Sequence, residues 1–266
     1  MAPADWKRRL ERFFYDRAEL VRGVPTLHDH CTVSAKDPRL SARPEFHQDM
    51  VASVVDALEL GRSSSVLEVG CASGYVACGL APLVGRYTGV DLAVSPLKVA
   101  RRMRLGHAQF LNGDGSALPF ADATFDAAFV YDVYTNFPTF ADGVPLIAEM
   151  VRVVRPGGRI LIGSVTNKQT ADAFQERANQ VASELLAAHG PMPQLAQPSP
   201  MRRWWRKFLG AAPPDAVPEI VVYSFDPDDF TKLGESLNVA ASISDVHPMN
   251  PYRGFRYNVV FAKGPR

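Results

Sequence analysis

The sequence is poor in cysteine, in surplus charge and in long apolar runs. Its three cysteines, Cys31, Cys71 and Cys78, follow no spacing typical of a disulfide framework or a zinc site, and they suit a reducing compartment. The 29 basic and 28 acidic side chains leave a formal net charge of +1, so nucleic acid is not the expected partner. No apolar stretch is long enough to cross a bilayer, and residues 1–9 lack a signal-peptide core. These absences favour a cytoplasmic enzyme.

One stretch of the chain carries the main functional signal. Residues 65–75 have the pattern of a buried strand, a glycine turn and the start of a helix. Gly70 permits a sharp turn, and Gly74 permits the close approach of a ligand or of the next helix. Ligands of open α/β sheets bind at this edge, where the strand order reverses, so we expect a binding site here.

The residues around this turn discriminate between nucleotide ligands. A dinucleotide site requires Gly-x-Gly-x-x-Gly, but Ala72 and Tyr75 stand where the second and third glycines belong. Glu68 would also repel a phosphate at the turn. A ligand with a cationic end and no phosphate fits better, and S-adenosylmethionine is such a ligand. A carboxylate would favour its ammonium and sulfonium groups, and backbone N–H groups would bind its carboxylate.

A second acidic residue supports an adenosine ligand. Asp91 ends the predicted second strand, about 20 residues beyond the glycine turn, where a carboxylate can bind both ribose hydroxyls. NAD and S-adenosylmethionine both contain this ribose, so Asp91 does not discriminate between the two ligands. Ser95 and Pro96 supply a cap and a first-turn proline for the next helix, which would leave Asp91 free for a ligand.

The segment Val-Leu-Glu-Val-Gly-Cys-Ala-Ser-Gly, residues 66–74, resembles motif I of the class I S-adenosylmethionine-dependent methyltransferases. Residues 112–120, 153–162 and 257–263 resemble later parts of the same family, and the likeness extends over about 44–164 and 225–263. The resemblance implies an α/β three-layer sandwich around a seven-stranded, mostly parallel sheet. Its strand order would be 3-2-1-4-5-7-6, with strand 7 antiparallel.

The resemblance also implies a set of cofactor-binding residues. Glu68 would lie near the charged end of S-adenosylmethionine, Asp91 would bind the ribose, and Asp114 would meet the adenine amino group. The full set that we expect to bind the cofactor is Glu68, Gly70, Cys71, Ala72, Ser73, Gly74, Asp91, Leu92, Asp114, Gly115, Ser116 and Tyr131. We expect no metal, because the pair His28-x-His30 lacks a third ligand of the right type nearby.

The acceptor is less well defined by the sequence. The loop after the fourth strand, residues 131–138, has neither the Asn/Asp-Pro-Pro-Tyr/Phe motif nor the cysteine of the base methyltransferases. We therefore expect a small-molecule acceptor, such as a specialised metabolite or a glycan. Methylation of an oxygen atom is slightly favoured over methylation of nitrogen. A hydroxyl acceptor needs a general base. The candidates are His28, His30 and Asp132, with His47 and His247 left open.

The chain divides into a predicted helical cover, residues 1–43, and a methyltransferase domain, residues 44–266, with an insertion at about 166–218. In the cover, residues 5–22 have helical spacing, whereas residues 26–43 read as an irregular loop. In the insertion, residues 201–209 place five apolar side chains opposite four basic ones. Such a segment can pack on the domain, close over the acceptor or rest on a membrane surface.

Three alternatives remain from the sequence. The first is a methyltransferase for a lipid-linked acceptor, bound to a membrane through Trp204 and Trp205. The second is an NAD-dependent oxidoreductase, which the missing glycines disfavour. The third is a non-catalytic subunit that binds adenosine. The oligomeric state cannot be predicted.

Overall fold

The computed structural model describes residues 5–191 and 221–265, and one sheet lies at its centre. The strands are β1 Ser65–Val69, β2 Arg86–Asp91, β3 Ala108–Asn112, β4 Phe125–Tyr131, β5 Val154–Asn167, β6 Ser224–Phe225, β7 Ala240–Asp245 and β8 Arg256–Ala262. Their order is β3-β2-β1-β4-β5-β8-β7, with β6 paired to β5. All pairs are parallel except those of β8, which runs antiparallel to both β5 and β7.

The predicted fold class is confirmed, with one correction to the strand count. The described residues form eight strands rather than seven, because the two-residue strand β6 adds to the end of β5. Without β6, the order is the predicted 3-2-1-4-5-7-6. The parallel pairing of β1 with β2 and β4 brings the carboxyl ends of these strands to one edge.

Eight α-helices are assigned within the described residues. They are α1 Asp5–Ala18, α2 Leu27–Val33, α3 Pro44–Leu58, α4 Ala77–Leu80, α5 Val94–Ala100, α6 Phe140–Val153, α7 Ala171–His189 and α8 Pro227–Ser236. Two apolar clusters lie on opposite faces of the sheet. Leu67 and Val69 belong to one cluster and Val66 to the other, as expected for side chains that alternate along a strand. This arrangement gives the predicted three layers.

The prediction of an irregular loop over 26–43 is wrong. The segment forms α2 and a 3₁₀ turn, Pro38–Ala42. Thr26 and Asp29 form a reciprocal capping box at the start of α2, and Asp37 accepts a hydrogen bond from the backbone N–H of Arg39. The polar residues that suggested a loop are therefore helix caps, while the other side of α2 is buried.

The aromatic side chain of Tyr134 fixes α6 against the sheet. Tyr134 is fully buried, its hydroxyl donates to the carbonyl of Phe140, and its ring lies 4.9 Å from that of Phe230. Gly143 on α6 faces this ring, and a Cβ added there would lie 2.5 Å from ring carbons of Tyr134. Only glycine allows α6 to pack at this distance.

We therefore predict that Gly143→Ala destabilises the protein. Overpacking costs roughly 1–3 kcal/mol, and a 2.5 Å contact with a fully buried ring places this change at the upper end. The gain in helix propensity offsets about 1 kcal/mol, so the free energy of unfolding should fall by about 2 kcal/mol. Gly106→Ala is the matched control, because a Cβ there meets nothing within 4 Å. Urea unfolding of both variants measures the difference. Equal stability of the two would contradict the packing assigned to Tyr134.

Candidate functional site

A cleft of about 110 Å³ lies at the carboxyl ends of β1, β2 and β3. Six of the predicted cofactor residues line it, namely Gly70, Asp91, Leu92, Asp114, Gly115 and Ser116. Side chains of α1, among them Trp6 and Phe14, form another wall of the cleft. Three successive strand ends and one helix thus enclose the place where the sequence predicts an adenosine.

The glycine turn after β1 is fixed to the next strand. Gly70 has a φ of 79°, and a Cβ there would lie 2.5 Å from a methyl carbon of Val133. The backbone N–H groups of Gly70 and Cys71 both donate to the carbonyl of Val90, at 2.7 and 3.2 Å. Glycine is therefore required here by the packing of Val133, and the backbone of the turn is held by β2.

Asp91 is both a lining residue and a structural link. Its carboxylate accepts hydrogen bonds from the backbone N–H groups of Ala72, at 2.7 Å, and Ala93, at 2.8 Å. The expectation that Ser95 leaves Asp91 free is wrong: α5 begins at Val94 without a side-chain cap, and Asp91 binds the loop before it. Burial raises the pKa of Asp91 to about 6, which these two hydrogen bonds oppose. An ionised carboxylate has about four acceptor positions, so it retains capacity for two hydroxyls.

Asp114 lies at the opposite side of the cleft and already has a cationic partner. The ammonium of Lys7 on α1 lies 2.6 Å from one of its oxygens, and the backbone N–H of Ser116 donates to the other. The pair is partly exposed, with 39% and 41% of the two side chains accessible. A pair this exposed contributes about 0–1 kcal/mol, so an adenine amino group can replace Lys7 at small cost.

Glu68 does not line the cleft. It is buried on the opposite face of β1 from Val69, where the hydroxyl of Tyr87 donates a hydrogen bond to its carboxyl group. Burial, together with the nearby charge of Asp91, raises the pKa of Glu68 to about 8. The two-residue period of a strand explains this placement, because only Val69 can face the cleft.

The remaining predicted cofactor residues do not line the cleft. Cys71, Ala72 and Ser73 are buried, and the hydroxyl of Ser73 contacts the imidazole of His30 at 3.3 Å. Gly74 has a φ of 87°, and the buried hydroxyl of Tyr131 has no hydrogen-bond partner within the described ranges. Their roles in cofactor binding stay predictions.

A second cavity, of about 390 Å³, opens beside the cleft at the ends of β4 and β5. Asn136 lines both spaces. The walls of the cavity combine apolar side chains, including Phe46 and Leu185, with the charged side chains of Lys36, Arg256 and others. A ligand in the cavity would therefore face the cleft at Asn136.

Asp132 is the one candidate base that lines the cavity. It has a φ of 58°, and its two oxygens pair with Lys36 and, at 2.6 Å, with Arg256. These two cations lower the pKa of Asp132 to about 2, although burial opposes the shift. Asp132 is consequently ionised at neutral pH but weakly basic, which makes it a poor proton acceptor.

The candidate histidines line neither the cleft nor the cavity. His28 is exposed beside Ser41, and burial lowers the pKa of His30 to about 4. His47 contacts the carbonyl of Tyr75 at 2.7 Å, and His247 contacts Asp49 at 2.8 Å. None of these four histidines is therefore placed to act as a general base in the cleft or the cavity.

Two sequence predictions concern other parts of the chain. The segment 201–209 lies outside the described residues. Within the described ranges, no group of three or more histidine, cysteine, aspartate or glutamate side chains is arranged to hold a metal ion. No helix in the same ranges combines the length and apolarity needed to span a bilayer.

Comparison with known proteins identifies the family. The profile of a family described as "Methyltransferase domain" matches residues 67–162, which contain the glycine turn, Asp91 and Asp114. This part of the chain belongs to the class I S-adenosylmethionine-dependent methyltransferase family. S-adenosylmethionine, the predicted cofactor, is the methyl donor of this family.

Several methyltransferases resemble this chain in sequence. It is 30% identical over 166 residues to methyltransferase GfsG of Streptomyces halstedii and 32% identical over 157 residues to the phthiotriol/phenolphthiotriol dimycocerosates methyltransferase 1 of Mycobacterium ulcerans. It is also 34% identical over 138 residues to the 2-phytyl-1,4-naphtoquinone methyltransferase of Thermosynechococcus vestitus. The three matches span 60, 57 and 49% of this chain but only 59, 52 and 60% of the relatives.

The fold of this chain is also found among solved structures. The complex of DhpI with SAH superposes with a TM-score of 0.60 at 16% identity, and the match covers 100% of both chains. At this identity the likeness shows the shared fold.

The buried carboxyl group of Glu68 predicts an unusual pH dependence of stability. Its pKa rises from 4.5 in the unfolded chain to about 8, so its stabilising contribution is complete below the unfolded value and is lost as the pH rises towards 8. Glu68→Gln mimics the neutral acid. The stability of the wild type relative to this variant should therefore fall by at least about 1 kcal/mol between about pH 5 and pH 8.

Urea unfolding of both proteins across this range measures the effect, and contributions from titrating groups that do not interact with Glu68 cancel in the difference. A difference that stays constant with pH would show that Glu68 is ionised in the folded protein.

Proposed function

We propose that this chain is an enzyme that transfers the methyl group of S-adenosylmethionine to an oxygen atom of a small-molecule acceptor. Specialised metabolites and glycans are the acceptor classes that we favour. The observation that carries the proposal is the position of Asn136, which lines both the candidate cofactor cleft and the adjoining cavity. A cofactor in the cleft and an acceptor in the cavity would meet at this residue.

Different residues of the cleft would bind different parts of the cofactor. Asp91 would accept hydrogen bonds from the ribose hydroxyls, and Asp114 would accept one from the adenine amino group after Lys7 moves away. Gly70 leaves room for the side chain of Val133, which lines the cleft beside it. Methyl transfer requires the acceptor, the methyl carbon and the sulfur to lie in line, so much of the rate acceleration can come from positioning alone.

The charges of the cavity favour oxygen over nitrogen as the methylated atom. Lys36, Arg39 and Arg256 outnumber the carboxylates of Asp37 and Asp132 among the lining residues. A protonated amine would be repelled by this surplus, whereas a neutral or acidic hydroxyl would not. Because the carboxylate of Asp132, the candidate base that lines the cavity, is weakly basic, an acceptor with an acidic hydroxyl suits the site best.

A lipid-linked acceptor at a membrane surface is the second candidate. It is favoured by the relative from Mycobacterium ulcerans, whose name gives phthiotriol dimycocerosates as its acceptors, and by the amphipathic sequence of residues 201–209. Co-sedimentation with anionic vesicles, with and without Trp204→Glu, tests it. Binding that the substitution abolishes would support this candidate, and wild-type protein that stays in solution would reject it.

We predict that Asp91→Ala weakens the binding of S-adenosylmethionine by about tenfold or more, because the ribose hydroxyls lose a charged acceptor. Isothermal titration calorimetry measures the affinity, and unfolding in urea confirms that the variant is folded at the assay temperature. Asp172→Ala, an exposed position on α7, is the control and should bind like the wild type.

Three results would change the proposal. Unchanged affinity of Asp91→Ala would reject the ribose assignment. Binding of NADH in place of S-adenosylmethionine would favour an oxidoreductase. Binding of S-adenosylmethionine without methylation of any acceptor in a broad panel would favour a non-catalytic subunit.

A further inference from the structure

The acceptor cavity has an uneven set of charges. Its lining contains the three cations of Lys36, Arg39 and Arg256 but only two carboxylates, those of Asp37 and Asp132. How these charges pair decides what kind of acceptor the cavity can hold, because a buried charge is costly unless a partner balances it.

One of the cations is fully balanced. The guanidinium of Arg39 binds the carboxylate of Asp37 through Nε at 3.0 Å and through Nη2 at 2.6 Å. This bidentate pair is formed within one turn and is largely buried. Arg39 and Asp37 therefore contribute no net charge to the cavity.

The other two cations share a single carboxylate. Lys36 pairs with one oxygen of Asp132 and Arg256 with the other, and only 15% and 14% of the two cationic side chains are accessible. Two positive charges thus face one negative charge at the end of β4.

The neighbouring acidic groups do not supply the missing charge. The carboxyl group of Glu68 has a pKa raised by burial to about 8 and is mostly neutral at pH 7. The carboxylate of Asp49 stays charged, because burial lowers the pKa of its partner His247, but it binds that imidazole and the backbone N–H of Met249 rather than either cation. Among the described residues, the two cations therefore share one ion-pair partner, and one positive charge is left without a direct partner.

Arg256 is held in place, and not all of its hydrogen-bond donors are used. Its Nη1 atom donates to Asp132 and to Ser164, whereas its buried Nε has no hydrogen-bond partner among the described residues. The guanidinium packs over the rings of Tyr252 and Phe174, at 5.2 and 5.6 Å from their centroids. Such packing fixes its orientation before a ligand arrives.

We infer that the cavity binds an acceptor that carries one carboxylate group on an apolar body, with Lys36 and Arg256 as the residues that recognise the carboxylate. The inference rests on the proposed function and names its substrate class. A single negative charge balances the surplus, whereas a phosphate dianion would exceed it and an amide would leave it unpaired. The apolar side chains of Leu40, Phe46 and Val181 suit the body of such an acid.

The experiment compares 4-hydroxybenzoate with 4-hydroxybenzamide, which differ in charge but hardly in shape. Calorimetric titrations use the full chain saturated with S-adenosylhomocysteine, whose own binding is measured first. The wild type should bind the acid about tenfold or more tightly than the amide. Lys36→Met should abolish this preference. Arg256 is then the one cation paired with Asp132, so no positive charge is left for the carboxylate of the acid.

Asp132→Asn should strengthen binding of the acid, because it removes the competing carboxylate while asparagine tolerates the φ of 58°. Lys232→Met, an exposed position on α8, is the matched control and should behave like the wild type. Equal binding of acid and amide, no binding of the acid at its solubility limit, or a preference that survives in Lys36→Met would overturn the inference. Failure to bind S-adenosylhomocysteine would instead reject the proposed function.

Discussion

The buried carboxylate of Asp91 joins the two loops on which the candidate cofactor site depends. It binds the backbone of Ala72 in the glycine turn and the backbone of Ala93 before α5. Without it, the loops after β1 and β2 would be linked at this edge chiefly through the carbonyl of Val90. The same carboxylate lines the cleft, so the group that orders the site is also the group expected to meet the ligand.

Two carboxyl groups near the site have different environments. One lies on β1, where side chains alternate between the faces of the sheet, and the other lies at the end of β4. Val69 faces the cleft, whereas Glu68 is buried on the other face as a mostly neutral acid. At the end of β4, Asp132 stays ionised because two cations surround it. Burial thus neutralises one carboxyl group, and ion pairing keeps another charged, which fits a site that receives a cationic cofactor next to a separate acceptor.

Much of the fold and part of the site could be predicted from local sequence patterns. Short apolar runs that end at glycine or an acidic residue predicted the strands, and the resemblance to the methyltransferase family implied their order and the position of Asp114 beside Asp91. Capping was harder: Thr26 with Asp29 forms a capping box in a segment predicted as a loop. The cap predicted at Ser95 is instead replaced by a hydrogen bond from the loop to Asp91.

The acceptor cavity was not predictable in this way, because its charges come from distant parts of the chain. Lys36 is 96 residues from Asp132, and Arg256 is 124 residues from it. No local motif marks either cation. Histidines attracted attention as possible bases because of their chemistry, yet none of the candidates lines the cleft or the cavity. The three charges meet only in the folded protein, where Lys36 after α2 and Arg256 at the start of β8 contact Asp132 after β4.

A crystal structure of the chain with S-adenosylhomocysteine would test the central claim most directly. The account predicts that the ribose lies against Asp91, that the adenine lies beside Asp114 with Lys7 displaced, and that the sulfur points towards Asn136 and the cavity. Density for the ligand at any other place, or a ribose that leaves Asp91 without a contact, would contradict it.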